Sequence, residues 1–415
     1  MKKYLTYHWI MVAACFILLS LSIGIAINGF SVFSVFIMKQ YETTATEVQL
    51  ILTFALAARL LGGLTVGKVT RWLSIKNVLR LYGCMVALGL LGWSVSTSIT
   101  QYYIYGAIMG FGVSGTGLIP CTALITNWFN EKKGTAMGIA LTGTLVGGFV
   151  FTMFAKYLIL TYSLQFTYEV FAVIFIVTVL LLSQFVIKEH PFEKALEPFG
   201  QKDKPMEDVE GIDQGISLSK FAKTASFWLL MVGIFLVSFV NMGIQNNLII
   251  FYSKLDYEIG FLMSWYALTF LSAGISRPIL GFLYDRLKIN AVQIGLVILL
   301  IFVVAILLLP ISTSFVIAGF VVSSIAGAMV TVTPSYTLTR IAGKAHYASI
   351  FGVAMLFYTA GMMLGPVTAA KIFDITESYL PAWFLFIVLS ILMGVTLIFA
   401  FNKGKEYSKW LTKTS

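Results

Sequence analysis

Arg277 stands in the segment Ser-Ala-Gly-Ile-Ser-Arg277-Pro278, inside an apolar run and eight residues ahead of the next charge, Asp285. If the run is helical, the arginine lies roughly 12 Å from its charged end. A charge at that depth in hydrocarbon costs on the order of 2.5–3.5 kcal/mol on insertion scales, so it requires a compensating partner. No acidic residue occupies the middle of any apolar run; the nearest candidate, Glu169, sits near the end of one. A guanidinium without a protein counter-ion suits an incoming anion, because its planar fork can hold a carboxylate through two N–H groups. The alternative is an arginine that bonds backbone carbonyls or snorkels to the surface. Arg59 is the second cation inside an apolar run. It either adds to the same anion preference, or caps a helix end or meets phospholipid.

Four amides also lie among apolar residues: Asn28, Asn241, Gln245 and Asn246. Asn241 and Gln245 are four apart and share a helix face. Such amides either orient a carboxylate or join helices to one another. Tyr336 and Tyr358 are further hydroxyl candidates. Cys15, Cys84 and Cys121 fall in separate apolar runs without a CxxC pair, and the three histidines are not at ligand spacing. A metal site, a disulfide framework or a cofactor is therefore not expected. Gly62-x4-Gly67-Lys68 has the outline of a phosphate-binding loop, but Val69 replaces the magnesium-holding Ser or Thr and no strand precedes it. With no acid/base or nucleophile–base set, an enzyme is not expected.

The elements that carry these side chains follow from composition. Of 415 residues, 59% are hydrophobic and 11% charged, where a soluble domain carries roughly 25% charged residues. A chain this apolar needs lipid as its solvent. Crossing hydrocarbon takes roughly 20 apolar residues in a helix, and unpaired sheet edges are not tolerated there. The runs 9–36, 47–67, 77–97, 102–125, 135–158, 166–187, 226–252, 259–284, 291–310, 314–338, 347–371 and 380–401 give twelve spans. The first run is too long for a cleaved signal sequence and reads as a retained span. Formal net charge is +10, but 22 of the 28 lysines and arginines fall in alternate short loops and tails. That is the positive-inside pattern rather than a nucleic-acid footprint. It places both termini in the cytoplasm and the chain in the inner (cytoplasmic) membrane as a multi-pass protein.

The longest break, 188–225, is rich in Glu, Asp, Lys and Pro and reads as a solvated linker. The expected organisation is a six-helix bundle over 1–190, a cytoplasmic linker over 191–221 and a second six-helix bundle over 222–415. The halves repeat one another: Pro120 pairs with Pro334, Gly138-Ile-Ala140 with Gly352-Val-Ala354, and Arg59-Leu-Leu-Gly-Gly63 with Arg277-Pro-Ile-Leu-Gly281. An all-α membrane protein of two pseudo-symmetric six-helix bundles is the arrangement of many secondary transporters. The glycines of spans 4, 5 and 11 read as packing surfaces.

Gly281-Phe-Leu-Tyr-Asp285-Arg286-Leu-Lys288 resembles the Gly-x-x-x-Asp-Arg loop of the major facilitator superfamily. The first-half copy departs from it, with Gly67-Lys68 in place of Asp-Arg. Asn28-Gly29-Phe30-Ser31-Val32-Phe33, Asn127-Trp128-Phe129-Asn130-Glu131-Lys132-Lys133-Gly134, Arg277-Pro278 and Gly365-Pro366-Val-Thr-Ala-Ala-Lys371-Ile-Phe-Asp374 resemble the oxalate:formate antiporter and monocarboxylate transporter group. The resemblance implies a gating charge network at Asp285 and Arg286, and a span-8 arginine that meets the substrate carboxylate. Oxalate carriers hold a lysine in span 11 where this chain has Gly361 at the apparent place, which favours a monocarboxylate over oxalate. Animal monocarboxylate carriers hold an aspartate one turn before the arginine, where this chain has Ala273. Proton symport through that residue is therefore not available.

The sequence thus leads to a monomeric secondary carrier of a small carboxylate, working by alternating access as a symporter or antiporter. The expected binding residues are Arg277, Arg59, Asn28, Asn241, Gln245, Tyr358 and Tyr336. A proton-coupled exporter of other organic compounds and a carboxylate sensor that moves nothing are the competing readings.

Overall fold

The computed structural model describes residues 2–200, 216–309, 312–343 and 346–414. Among them are twelve helices long and apolar enough to cross a membrane. Spans 1 to 6 are Tyr7–Tyr41, Ala45–Val69, Ile75–Val95, Ile99–Trp128, Lys133–Thr161 and Leu164–Val186. Spans 7 to 12 are Ala225–Ser253, Ile259–Arg286, Ile289–Leu307, Thr313–Ala342, Ser349–Thr376 and Leu380–Gly404. Each corresponds to one of the runs read from hydropathy, and most run a little beyond it. Polar capping residues carry the helices past their apolar stretches. Thr44 closes a capping box with Glu47, and Ser74, Ser163 and Thr224 each accept a first-turn N–H.

By contacts the chain forms two units, Met1–Pro205 with Asp256–Leu271, and Met206–Leu255 with Ser272–Ser415. Span 8 therefore divides, giving its first half to one unit and its second half, with Arg277, to the other.

In the first unit the helices depart from regularity where the sequence removes a hydrogen bond. Span 4 breaks at Gly117, three residues before Pro120. Pro120 has no N–H, so the carbonyl four residues earlier, on Thr116, loses its helical partner. Ser22 of span 1 supplies the replacement, its Oγ donating to Thr116 O at 3.1 Å. Two residues further on, span 1 widens into a π turn over Gly24–Asn28. Spans 1 and 5 cross in near backbone contact: a Cβ on Gly147 would lie 2.2 Å from Ser20 O. Without a hydrophobic drive between helices in lipid, such close approach supplies the van der Waals contact that holds them.

Part of the segment expected to be a solvated linker is folded against this unit. Trp128 Nε1 donates to Lys188 O at 2.8 Å and Asn127 Nδ2 to Glu189 O at 3.1 Å. Phe199 exchanges backbone bonds with Trp128, Asn130 and Glu131, and its ring lies 5.6 Å from that of Phe129. Gly200 follows at φ +86°, against the Glu131 side chain, a backbone only glycine adopts without strain. The Lys76 ammonium pairs with the Glu193 carboxylate at 2.7 Å. Burial pushes the Glu193 carboxyl up, but the Lys76 bond and the backbone N–H groups of Glu189 and His190 outweigh it and hold it below its ordinary value. Composition favoured solvent because the anchoring partners, Trp128 and Phe129, are distant in sequence. Residues 201–215 lie outside the described part.

In the second unit, spans 7 and 11 pack most closely. Cβ atoms on Gly361 and Gly365 would fall 2.1 Å from Ser238 Oγ and from Phe239 O. Asn247 of span 7 joins span 11, donating to Gly243 O at 2.8 Å and Pro366 O at 3.1 Å while Tyr379 OH donates to its Oδ1.

Candidate functional site

The second unit carries Arg277, Tyr358, Asn241 and Gln245 on spans 8, 11 and 7. Arg277 is half-buried, and its Nε is shut from solvent without a hydrogen-bond partner among the described residues. Pro278 follows it inside an unbroken helix. The side chain whose electrostatics reach the guanidinium is the neutral phenol of Tyr358 on span 11. No carboxylate forms a salt bridge with it among the described residues. Among the described residues the guanidinium thus has a neutral phenol beside it and no carboxylate bonded to it, an environment that suits an anion.

Tyr358 is seated by span 7. Ser238 Oγ donates to Tyr358 O at 2.8 Å, and Gly361, one turn on, leaves room for that contact. Asn241 lies three residues beyond Ser238, 2% exposed, with its Oδ1 unsatisfied among the described residues. Gln245 Nε2 donates to Ser323 Oγ of span 10 at 3.4 Å. A Cβ on Gly327 would lie 3.5 Å from Asn241 Oδ1 and 4.0 Å from Gln245 Nε2. The missing side chain at Gly327 thus leaves space beside both amides. Asn246 instead bonds back to Met242 O at 3.1 Å, within its own helix. Reading the sequence missed Ser238, Ser323 and Gly327. The spacing of Ser238 from Asn241, close to one helical turn, was the one available signal.

Tyr336 belongs to a different cluster. Its OH donates to Tyr284 O at 2.7 Å and receives Arg340 Nη2 at 3.1 Å, and the two tyrosine rings stack at 4.6 Å. Tyr284 OH in turn donates to Thr333 Oγ1 at 3.0 Å. The cluster ties the end of span 8 to span 10, so the Tyr336 hydroxyl is committed to helix joining. Asp285 and Arg286 follow directly and are exposed. Neither forms a salt bridge with a described residue, and Arg286 lies over the Phe282 ring at 4.7 Å.

In the first unit, Asn28 closes the π turn of span 1 and donates from Nδ2 to Thr144 O of span 5 at 3.1 Å. A Cβ on Gly148 would meet Asn28 Nδ2 at 2.8 Å and the Phe270 ring at 2.7 Å. Asn28 thus joins helices, with one face on a glycine-bared patch. Arg59 is half-buried in span 2 and has interaction partners of its own. No group of three or more His, Cys, Asp or Glu that could hold a metal is found among the described residues.

A helical chain with twelve candidate membrane spans is what the family comparison also finds. The model of the Major Facilitator Superfamily matches residues 12–366, and the chain belongs to that superfamily. Among solved structures it is similar to a point mutant of the nucleoside transporter NupG, with TM-score 0.76 at 14% identity over 94% of this chain and 100% of that one. It is also similar to a bacterial homologue of the human lysosomal transporter Spinster, with TM-score 0.70 at 15% identity over 98% of each chain. At those identities the likeness concerns the fold.

In sequence it is similar to monocarboxylate transporter 13 of Rattus norvegicus, 28% identical over 158 residues, which are 38% of this chain and 36% of that protein. Monocarboxylate transporter 12 of the same species is 24% identical over 94% of this chain and 85% of its own length. The probable transporter MCH2 of Saccharomyces cerevisiae is 24% identical over 66% of this chain and 56% of its own. The chain spans little more than a third of the length of the first of these relatives.

Proposed function

We propose that the chain is a secondary transporter that moves a small monocarboxylate across the cytoplasmic membrane by alternating access, with both termini on the cytoplasmic side. The observation that carries this reading is the Arg277 Nε, shut from solvent without a hydrogen-bond partner among the described residues and with the Tyr358 phenol nearby. An anion completes such a group, and a carboxylate matches its fork. Tyr358 and Asn241 then face the substrate beside Arg277, while Gln245 shapes the same wall from Ser323. Tyr336 joins helices within the second unit and Asn28 joins helices within the first, and Asp285 and Arg286 act in gating. The charge pattern of the loops supports the orientation, and the similarity to monocarboxylate transporters supports the substrate class.

The test is uptake of labelled lactate, pyruvate, formate and oxalate into proteoliposomes, with and without a proton gradient. Wild type is expected to take up a monocarboxylate in preference to oxalate, and Arg277→Gln to lose about 10–100-fold, the loss of charge-assisted hydrogen bonds worth roughly 1.5–3 kcal/mol. Equal uptake by the variant would remove Arg277 from the site. No uptake of any carboxylate by folded wild type would remove the substrate class.

A further inference from the structure

The first unit carries a groove of about 370 Å³ on its outer surface, lined by Arg80, Leu180, Leu181, Gln184 and Phe185. Its deeper end is closed where spans 3 and 6 touch: a Cβ on Gly83 would lie 2.9 Å from Val179 Cγ1. Past that contact span 6 turns into a π helix over Leu182–Val186. The change of winding turns Phe185 outward, 69% exposed, beside Leu180 at 42% and Leu181 at 51%. These residues form an apolar wall that faces the bilayer.

Arg80 lies five residues into span 3, roughly 7.5 Å along the helix from its start. The start is marked by Trp72, 88% exposed in the preceding turn, a residue type that favours the headgroup level. Arg80 is thus below that level and directed to the lipid face. Its guanidinium is held by three neutral acceptors: Nε donates to Ser183 Oγ at 3.1 Å, Nη1 to Asn77 Oδ1 at 3.5 Å, and Nη2 to Gln184 Oε1. The side chain is fixed in place, yet none of these partners carries charge. The adjacent Lys76, by contrast, has Glu193.

We propose that this groove binds an anionic phospholipid of the surrounding bilayer, with the phosphate on Arg80 and an acyl chain along Leu180, Leu181 and Phe185. A cation at the upper edge of the hydrocarbon is stabilised by a phosphate that arrives already attached to a matching apolar chain. The pre-fixed guanidinium lowers the ordering cost of binding. The site is independent of what the carrier transports.

The experiment is native mass spectrometry of the full chain in detergent, with phosphatidylglycerol or phosphatidylcholine added at equal amounts. Wild type is expected to retain phosphatidylglycerol about tenfold more than phosphatidylcholine. Arg80→Gln should abolish that preference, Leu181→Trp should fill the groove and reduce retention of both lipids, and Arg80→Lys should keep part of it. If Arg80→Gln does not fold, the other two variants decide. Equal retention of phosphatidylglycerol by wild type and Leu181→Trp would overturn the proposal. So would displacement of the lipid by millimolar inorganic phosphate, which would indicate a free-anion site, or a dimer mass lost on Leu181→Trp, which would place a second copy in the groove.

Discussion

The Ser238 hydroxyl donates to the backbone carbonyl of Tyr358 at 2.8 Å, so the tyrosine next to Arg277 is positioned by a serine on another helix. The bond forms only because Gly361 carries no side chain: a Cβ there would fall 2.1 Å from Ser238 Oγ. Ser238→Ala is expected to cost about 1 kcal/mol of stability, and Gly361→Val about 1–3 kcal/mol through overpacking. Thermal unfolding in detergent checks both. Uptake should fall with the shift of Tyr358, and the order of substrates should stay unchanged.

Tyr358→Phe removes the hydroxyl beside the guanidinium and leaves the ring. The expected effect is a roughly 3–30-fold rise in KM for the carboxylate with an unchanged unfolding temperature. Arg277→Lys keeps the charge but not the fork, and uptake should fall by a similar factor. Concentration-dependent initial rates in proteoliposomes read both, and an unchanged KM in Tyr358→Phe would detach that hydroxyl from substrate.

Gly148→Ala places a methyl group 2.8 Å from Asn28 Nδ2 and 2.7 Å from the Phe270 ring. Both neighbours must move, and the bond from Asn28 to Thr144 O is the weakest constraint. The expected result is an uptake loss larger than that of Asn28→Ala, at a destabilisation of about 1–3 kcal/mol.

The Lys76–Glu193 pair clamps the segment 187–200 to the first unit. The Glu193 carboxyl lies below its ordinary value of 4.5 in the folded chain. Its contribution is therefore fully present above pH 4.5 and is lost as pH falls through the folded value. The exposed pair is worth at most about 1 kcal/mol. Glu193→Gln should speed amide hydrogen exchange in residues 189–199 at neutral pH, and the wild type should match it only at lower pH, once intrinsic exchange is corrected. Identical exchange at neutral pH would assign the segment's docking to Trp128 and Phe199 alone.

Twelve spans were legible because hydrocarbon permits little else: a run of roughly 20 apolar residues must bury its backbone in a helix. Arg277 was legible for the same reason, as a charge where charge is costly. The roles of Tyr336 and Asn28 were not. Span 8 and its neighbours are apolar nearly all round, and such a helix gives no sign of which face meets which partner. Tyr336 reads as a hydroxyl candidate for binding until the Tyr284 carbonyl is seen to accept its hydrogen bond. The segment 187–200 reads as solvated until Trp128 and Phe129, some 60 residues earlier, are placed against it.

The sequence by itself determined the number of helices, the charge asymmetry of the loops and the isolation of one arginine, since each follows from the free energy of placing a given side chain in oil or water. The tertiary structure decided which polar atoms remain unsatisfied among the described residues: Arg277 Nε and Asn241 Oδ1 do, while Ser238, Asn28 and Tyr336 do not. That division depends on helix rotation and close approach, which are set by contacts between residues far apart in the chain and leave no period in its sequence.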